Sequence, residues 1–271
     1  MATIWRVVMS VAIVYVILIA TLYLFQRNIV FAPSTQKLTP GEVGLTDTAV
    51  VELPNADGEP LYNWHIPPAP GKPTLLYFHG NGGAIHGRAS KLRAYQALGF
   101  GVFIVGYPGY GGSSGQPTEA ALISAALNAY DYLAPQVQAE RLVLYGESLG
   151  SAVATQVAAQ RPVRALILAA PMYAIEEIAA QQYPFVPARL LIKDKFRSYE
   201  HIEHIDAPLL VVHGSEDGLI PIESGQALYE RARPPKQFVR LDGAGHNNLY
   251  EFAILDAVEA FLQGLPPAVS P

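Results

Sequence analysis

The run Leu142-Val143-Leu144-Tyr145 passes directly into Gly146-Glu147-Ser148-Leu149-Gly150 and then into Ser151-Ala152-Val153-Ala154. An apolar strand can turn so abruptly into a helix only where small residues let the two backbones approach, so this stretch fixes a βα unit with one serine held on a strained turn. The rest of the chain repeats the alternation. Strands are expected at Val50–Leu53, Leu61–Ile66, Thr74–Phe78, Gly101–Val105, Arg141–Tyr145, Ala165–Leu168, Leu209–Val212 and Phe238–Leu241. Helices near Ile85–Leu98, Thr118–Leu133, Leu149–Gln160, Ile222–Arg233 and Asn247–Leu262 separate the later ones. Strands interleaved with helices build a parallel sheet, and continuous apolar strands such as Leu75-Leu76-Tyr77-Phe78 fit one covered on both faces. The turn-rich Pro54–Pro60 joins the first two strands into an antiparallel hairpin at one edge. The expected fold is α/β, a mostly parallel eight-stranded sheet with helices on both faces.

Two further segments complete the chemistry that Ser148 suggests. His246 lies in Gly243-Ala244-Gly245-His246-Asn247, after the last expected strand, where a flexible loop can turn an imidazole inward. Neutral imidazole accepts a serine proton near pH 7 more readily than any other unperturbed side chain. Asp217, in the loop after Leu209–Val212, supplies a carboxylate to hold the imidazole's tautomer, with Glu216 as its adjacent competitor. His79 and His213 fall inside turns and are expected to hold loops. The two donors that stabilise a tetrahedral oxyanion are expected from the backbone N–H of Leu149 and that of Asn81 in His79-Gly80-Asn81-Gly82-Gly83. The glycine-rich turn lacks the Gly-Lys-Ser/Thr ending of a phosphate loop, and no His-Glu-x-x-His or similar metal spacing is present. No cofactor and no metal are expected.

With these residues in place, and with Gly106-Tyr107-Pro108-Gly109-Tyr110-Gly111-Gly112-Ser113-Ser114-Gly115 between them, the chain resembles the α/β-hydrolase superfamily over about residues 45–265. The order Ser, acid, His along the chain agrees with it. More narrowly it resembles the membrane-anchored branch containing acyl-protein thioesterases and monoacylglycerol lipase-like enzymes. That resemblance implies a Ser148–His246–Asp217 triad with an oxyanion hole at Asn81 and Leu149.

The N-terminus constrains location. From Val7 to Phe25 run nineteen residues whose only polar members besides tyrosine are Ser10 and Thr21, enough to cross roughly 30 Å of hydrocarbon as a helix. A cleaved signal peptide has a shorter apolar region ending in small residues, whereas this one continues through Leu22-Tyr23-Leu24-Phe25. A single-pass N-terminal anchor is therefore expected. Arg6 on one side and Arg27 and Lys37 on the other leave the side of the catalytic body open. The chain divides into an anchor (1–27), a connector (28–45), a catalytic domain (46–265) and a tail (266–271). Because every chemistry-bearing motif lies beyond Pro73, the anchor is expected to supply location alone.

A short lid insert is expected at 172–207. Its Tyr173, Tyr183, Phe185, Val186, Leu190, Leu191 and Phe196 either line an acyl pocket or pack on the sheet, packing being the plainer expectation. A formal charge of -5 without a dense basic cluster gives no electrostatic reason for nucleic acid as a partner, and the absence of cysteine removes thiolate catalysis. The expected partners are the bilayer and a small-molecule or lipid-like acyl substrate. The leading expectation is a membrane-anchored serine hydrolase of carboxylic esters or thioesters. A serine peptidase or aminopeptidase of the same fold is the alternative. A non-catalytic tethered binding protein is a third, against which the complete Ser, His and Asp set argues.

Overall fold

The computed structural model describes residues 1–266, so the expected tail lies, Pro266 apart, outside the described residues. Eight strands form one sheet: β1 (Ala49–Pro54), β2 (Pro60–Ile66), β3 (Thr74–Phe78), β4 (Gly101–Ile104), β5 (Leu142–Glu147), β6 (Ala165–Ala169), β7 (Leu209–Gly214) and β8 (Lys236–Leu241). Their order across the sheet is β8-β7-β6-β5-β3-β4-β2-β1. From β8 to β4 all neighbours are parallel; β2 joins β4 antiparallel and forms the expected edge hairpin with β1.

Alternation along the strands builds two cores. Leu76, Phe78 and Leu144 pack on one face of the sheet, beneath α3 (Glu119–Val137) and α4 (Leu149–Ala158). Leu75, Tyr77, Val143 and Tyr145 point to the other, beneath α2 (Ala89–Ala97) and α9 (Ile254–Gly264). All seven are fully buried. Each such side chain contributes roughly 1.5–3 kcal/mol of hydrophobic free energy, and a Leu144→Ala cavity would cost roughly 2–5 kcal/mol.

Helix ends depart from the sequence reading where side chains claim the backbone. Thr118 caps α3, its hydroxyl accepting from the Ala121 N–H at 3.0 Å, and the helix outruns its expected end through Pro135 to Val137. A proline in the final turns removes only one hydrogen bond there. The stretch expected to open the last helix instead begins as a 3-10 turn at Leu249–Glu251, because the Asn248 side chain accepts from the Gly245 N–H (2.8 Å) and ties residues 245–248 into the preceding loop.

The first helix, α1, spans Ala2–Val30 and continues past the junction expected near residue 27. The cause is Gln26. Its amide donates to the carbonyls of Tyr23 (2.9 Å) and Leu191 (3.2 Å) and its oxygen accepts from the Lys193 N–H (2.7 Å), while Arg27 pairs with Asp194 at 2.8 Å. Beyond α1, Phe31 is buried against Phe196, and Ala32–Pro33 pairs in parallel with Gly82–Gly83. Between β6 and β7 the insert forms three short helices, α5 (Ile175–Gln182), α6 (Ala188–Leu191) and α7 (Ser198–His201); α8 (Ile222–Arg231) follows β7.

Candidate active site

Ser148 occupies the turn from β5 into α4 with φ 53° and ψ -120°, a conformation that costs a non-glycine residue roughly 1–3 kcal/mol and persists because its surroundings hold it. Its N–H donates to the Ala169 carbonyl (3.0 Å), and its own carbonyl accepts from the Ser151 N–H (2.9 Å). The flanking glycines are required by space. A methyl at Gly146 would overlap the carbonyl of Gly150, and one at Gly150 would overlap that of Phe78.

The three residues singled out in the sequence meet here. His246 Nε2 lies 3.0 Å from Ser148 Oγ, and His246 Nδ1 lies 2.7 Å from Asp217 Oδ2. Asp217, not Glu216, turns its carboxylate inward, where Oδ1 accepts from the N–H groups of Leu219 (3.0 Å) and Ile220 (2.8 Å). Burial pushes this carboxyl toward the neutral form, but hydrogen bonds from His213, His246 and the Ile220 N–H hold it well below the usual carboxylate range. An ionised, fully hydrogen-bonded carboxylate fixes the imidazole tautomer that leaves Nε2 free to take a proton. His213 lies beneath it, with Nε2 donating to the Ile220 carbonyl (2.9 Å) and approaching Asp217 Oδ2 at 3.3 Å. It holds the acid's loop, as the sequence suggested.

Asn81 and Leu149 flank Ser148 in the lining of a single cavity. The Asn81 loop is clamped from several sides. The Tyr110 hydroxyl donates to its carbonyl (2.8 Å), the Tyr107 hydroxyl to that of His79 (3.2 Å), and the Asn81 side-chain amide to the Val30 carbonyl at the end of α1 (3.0 Å). His79 is wholly buried, its Nδ1–H donating to Gly80 (2.7 Å) and its ring 4.3 Å from that of Tyr107. Burial, helped by the nearby Arg88 charge, lowers its pKa to about 3, so it is a neutral loop brace.

Ser148 stands between two cavities of opposite character. One, of about 210 Å³, is lined by Leu22, Tyr23, Ile29 and Val30 of α1 and by Ile178, Tyr183, Val186 and Leu191 of the insert. The other, of about 410 Å³, is lined by Arg88, Lys91, Glu147, His246, Asn247 and Tyr250. The sequence reading offered the insert as one wall of an acyl pocket but not α1 as the other, and it did not anticipate the polar cavity. The expectation that the N-terminal helix supplies location alone is corrected here, since α1 forms a wall of the cavity containing Ser148. The insert divides between the two roles considered for it. Tyr183, Val186 and Leu191 line the cavity, Phe196 and the stacked Tyr173–Tyr199 pair (4.7 Å) pack inward, and Phe185 and Leu190 stay 57% and 83% exposed.

Glu147, the residue before the serine, also escaped the sequence reading. It is 8% exposed, and it accepts from Arg88 Nε (3.1 Å), Lys91 Nζ (2.5 Å) and the Tyr77 hydroxyl (2.8 Å). Burial opposes its ionisation, but the Lys91 and Arg88 charges prevail and bring its pKa down to about 2. An ionisable residue ending an otherwise apolar strand was the signal that could have found this cluster.

The serine aminopeptidase S33 family matches residues 69–198. The uncharacterized protein Rv2307c of Mycobacterium tuberculosis is 35% identical over 263 residues, covering 94% of each chain. Zebrafish (Danio rerio) lysophosphatidylserine lipase ABHD12 is 32% identical over 184 residues, 60% of this chain and 48% of that protein. Among solved structures, the Pyrococcus furiosus esterase Pf2001 superposes with a TM-score of 0.68 at 19% identity, over 87% of this chain and 98% of the esterase. By sequence, sheet topology and these likenesses, the chain belongs to the α/β-hydrolase superfamily.

Proposed function

We propose that this hydrolase is anchored in a membrane by α1 and cleaves carboxylic esters or thioesters whose acyl chain occupies the apolar cavity and whose polar leaving group faces Arg88, Lys91, Asn247 and Tyr250. The observation that carries the reading is the 3.0 Å approach of Ser148 Oγ to His246 Nε2 at the junction of the two cavities. α1 is long and apolar enough to cross a bilayer, and its apolar window has no buried residue. Its last turns hydrogen-bond to the insert through Gln26, which favours a retained helix over a removed signal.

In this mechanism Ser148 Oγ attacks the substrate carbonyl carbon while its proton passes to His246 Nε2, and Asp217 stabilises the imidazolium. The oxyanion is met by the N–H groups of Asn81 and Leu149. Collapse breaks the bond to the alcohol or thiol, which takes the proton from His246 and leaves the acyl group on Ser148. Water, deprotonated by His246, then attacks the acyl-enzyme, and Ser148 recovers its proton as the carboxylic acid departs. Ser148→Ala, assayed on p-nitrophenyl esters, is expected to lower kcat by on the order of 10⁶ and to abolish fluorophosphonate labelling. Undiminished turnover in the purified variant would overturn the assignment.

A peptidase reading has one observation in its favour, the description of the matching family. An aminopeptidase needs an acidic group to receive the substrate's free amine near the nucleophile. Among the described residues the apolar cavity has no carboxylate in its lining, and the one in the polar cavity, Glu147, is already paired with Lys91 and Arg88. Kinetic comparison of acyl esters with aminoacyl amides separates the two readings, and esters are expected to be preferred.

A further inference from the structure

A second apolar groove continues outward from the cavity that contains Ser148. It is lined by Tyr15, Val16, Ile19, Ala20 and Tyr23 of α1 and by Pro187 and Leu191 of the insert. Tyr23 and Leu191 belong to both linings and therefore stand between the groove and the cavity. The groove runs along the part of α1 that would lie in hydrocarbon, so whatever fills it there must be apolar. Two polar contacts brace its sides without closing it: the Tyr15 hydroxyl donates to the Phe185 carbonyl (2.8 Å), and Lys193 Nζ sits 4.2 Å from the centre of the Tyr23 ring. Beside it the insert presents Phe185 and Leu190, both exposed although apolar, a surface suited to the same hydrocarbon.

Building on the reading of α1 as an anchor and Ser148 as nucleophile, we propose that the groove is a lateral portal through which the acyl chain of a bilayer-resident ester or thioester passes between α1 and the insert, by Tyr23 and Leu191, to reach Ser148. The substrate need never leave the membrane. The anchor is then one jamb of the portal, and the length of acyl chain accepted is set by α1 as well as by the insert. Continuity of the groove with the membrane-crossing helix favours a lipid chain over a water-soluble ligand, because a soluble molecule would have to enter the hydrocarbon layer to use it.

A plug in the groove is the direct test. The full-length chain is reconstituted in phosphatidylcholine vesicles, and hydrolysis of p-nitrophenyl palmitate held in the bilayer is compared with that of p-nitrophenyl acetate in the surrounding water. Ala20→Trp fills the groove from an exposed position on α1, outside the inner cavity, and is expected to lower the palmitate-to-acetate ratio of kcat/KM by about tenfold. Leu18→Trp places the same indole two residues away, about 200° around the helix and away from the groove, and is expected to leave the ratio unchanged. Ala20→Ser, nearly as small as the original, is expected to restore it. An unchanged ratio in Ala20→Trp, or an equal loss in Leu18→Trp, would overturn the portal while leaving the hydrolase assignment standing. Palmitate hydrolysis that survives Ser148→Ala would overturn the assignment itself, and the portal with it.

Discussion

The two sides of Ser148 are built by different means. The polar side is made at the carboxyl ends of the parallel strands, where Glu147 is the last residue of β5 and Asp217 and His246 follow β7 and β8 on short loops tied together by backbone hydrogen bonds such as that from the Glu216 N–H to the Ala244 carbonyl. The apolar side is made by two elements outside the sheet, α1 and the insert, which meet through contacts more than 160 residues apart in the chain, such as Gln26 with Leu191 and Arg27 with Asp194. The carboxyl end of a sheet can position a proton to within hydrogen-bonding distance, whereas packed helices leave room to admit side chains and substrates of varying length. In the proposed reading the rigid side performs the chemistry and the adaptable side selects the acyl group.

The largest effects should come from breaking the rigid side. His246→Ala is expected to match Ser148→Ala, a loss on the order of 10⁶ in kcat, and the double variant should lose no more, because nucleophile and base act as a unit. Asp217→Asn should cost about 10⁴, since the wrong imidazole tautomer results while the geometry survives. Steady-state kinetics on p-nitrophenyl acetate measures all three. A silent Asp217→Asn beside a crippled Glu216→Gln would show that the acid has been misassigned.

Breaking the adaptable side should give a smaller and selective loss. A chain lacking residues 1–26, assayed in detergent micelles where no bilayer is needed, should lose about 10- to 100-fold in kcat/KM on p-nitrophenyl palmitate because Leu22, Tyr23 and Gln26 are gone from the cavity. Its turnover of the acetate should be largely kept. Equal retention of both substrates would restore the simpler division in which α1 supplies location alone.

The smallest effect is on stability. Glu147→Gln should cost about 1.5–3 kcal/mol at neutral pH, measured by urea unfolding, because Lys91 and Arg88 lose their anionic partner. The wild-type carboxyl, with an ordinary value near 4.5, is held at about 2 in the folded chain, so its contribution is complete above pH 4.5 and disappears as pH falls toward 2. The gap between wild type and variant should therefore narrow across that window. A gap constant from pH 7 to pH 3 would contradict the ion-pair account.

The contrast also explains what the sequence disclosed. Ser148, Asp217 and His246 were legible because each depends on local rules: a strand, a turn with required glycines, and a position relative to the next helix. The eight strands were legible by the same logic, with no end displaced by more than two residues. Glu147 was missed because its meaning lies in Arg88 and Lys91, more than fifty residues earlier, which nothing in the local pattern links to it. The role of α1 was missed for a related reason. A long apolar helix reads the same whether its last turns meet lipid or a cavity, and only Gln26, a buried amide closing the run, distinguishes the two. In the insert, apolar content could not say which aromatics pack inward and which line the site, since both uses bury the same kind of surface.

The most direct test asks which side of Ser148 the acyl chain occupies. A long-chain alkyl fluorophosphonate carrying a photoreactive diazirine at the far end of its chain would be reacted with the full-length protein in phosphatidylcholine vesicles, irradiated, and the cross-links mapped by mass spectrometry. The two-sided account predicts attachment at Ser148 and cross-links to Leu22–Val30 of α1 and to the insert around Ile178–Leu191. Cross-links to Arg88, Lys91, Asn247 or Tyr250 in their place would contradict it.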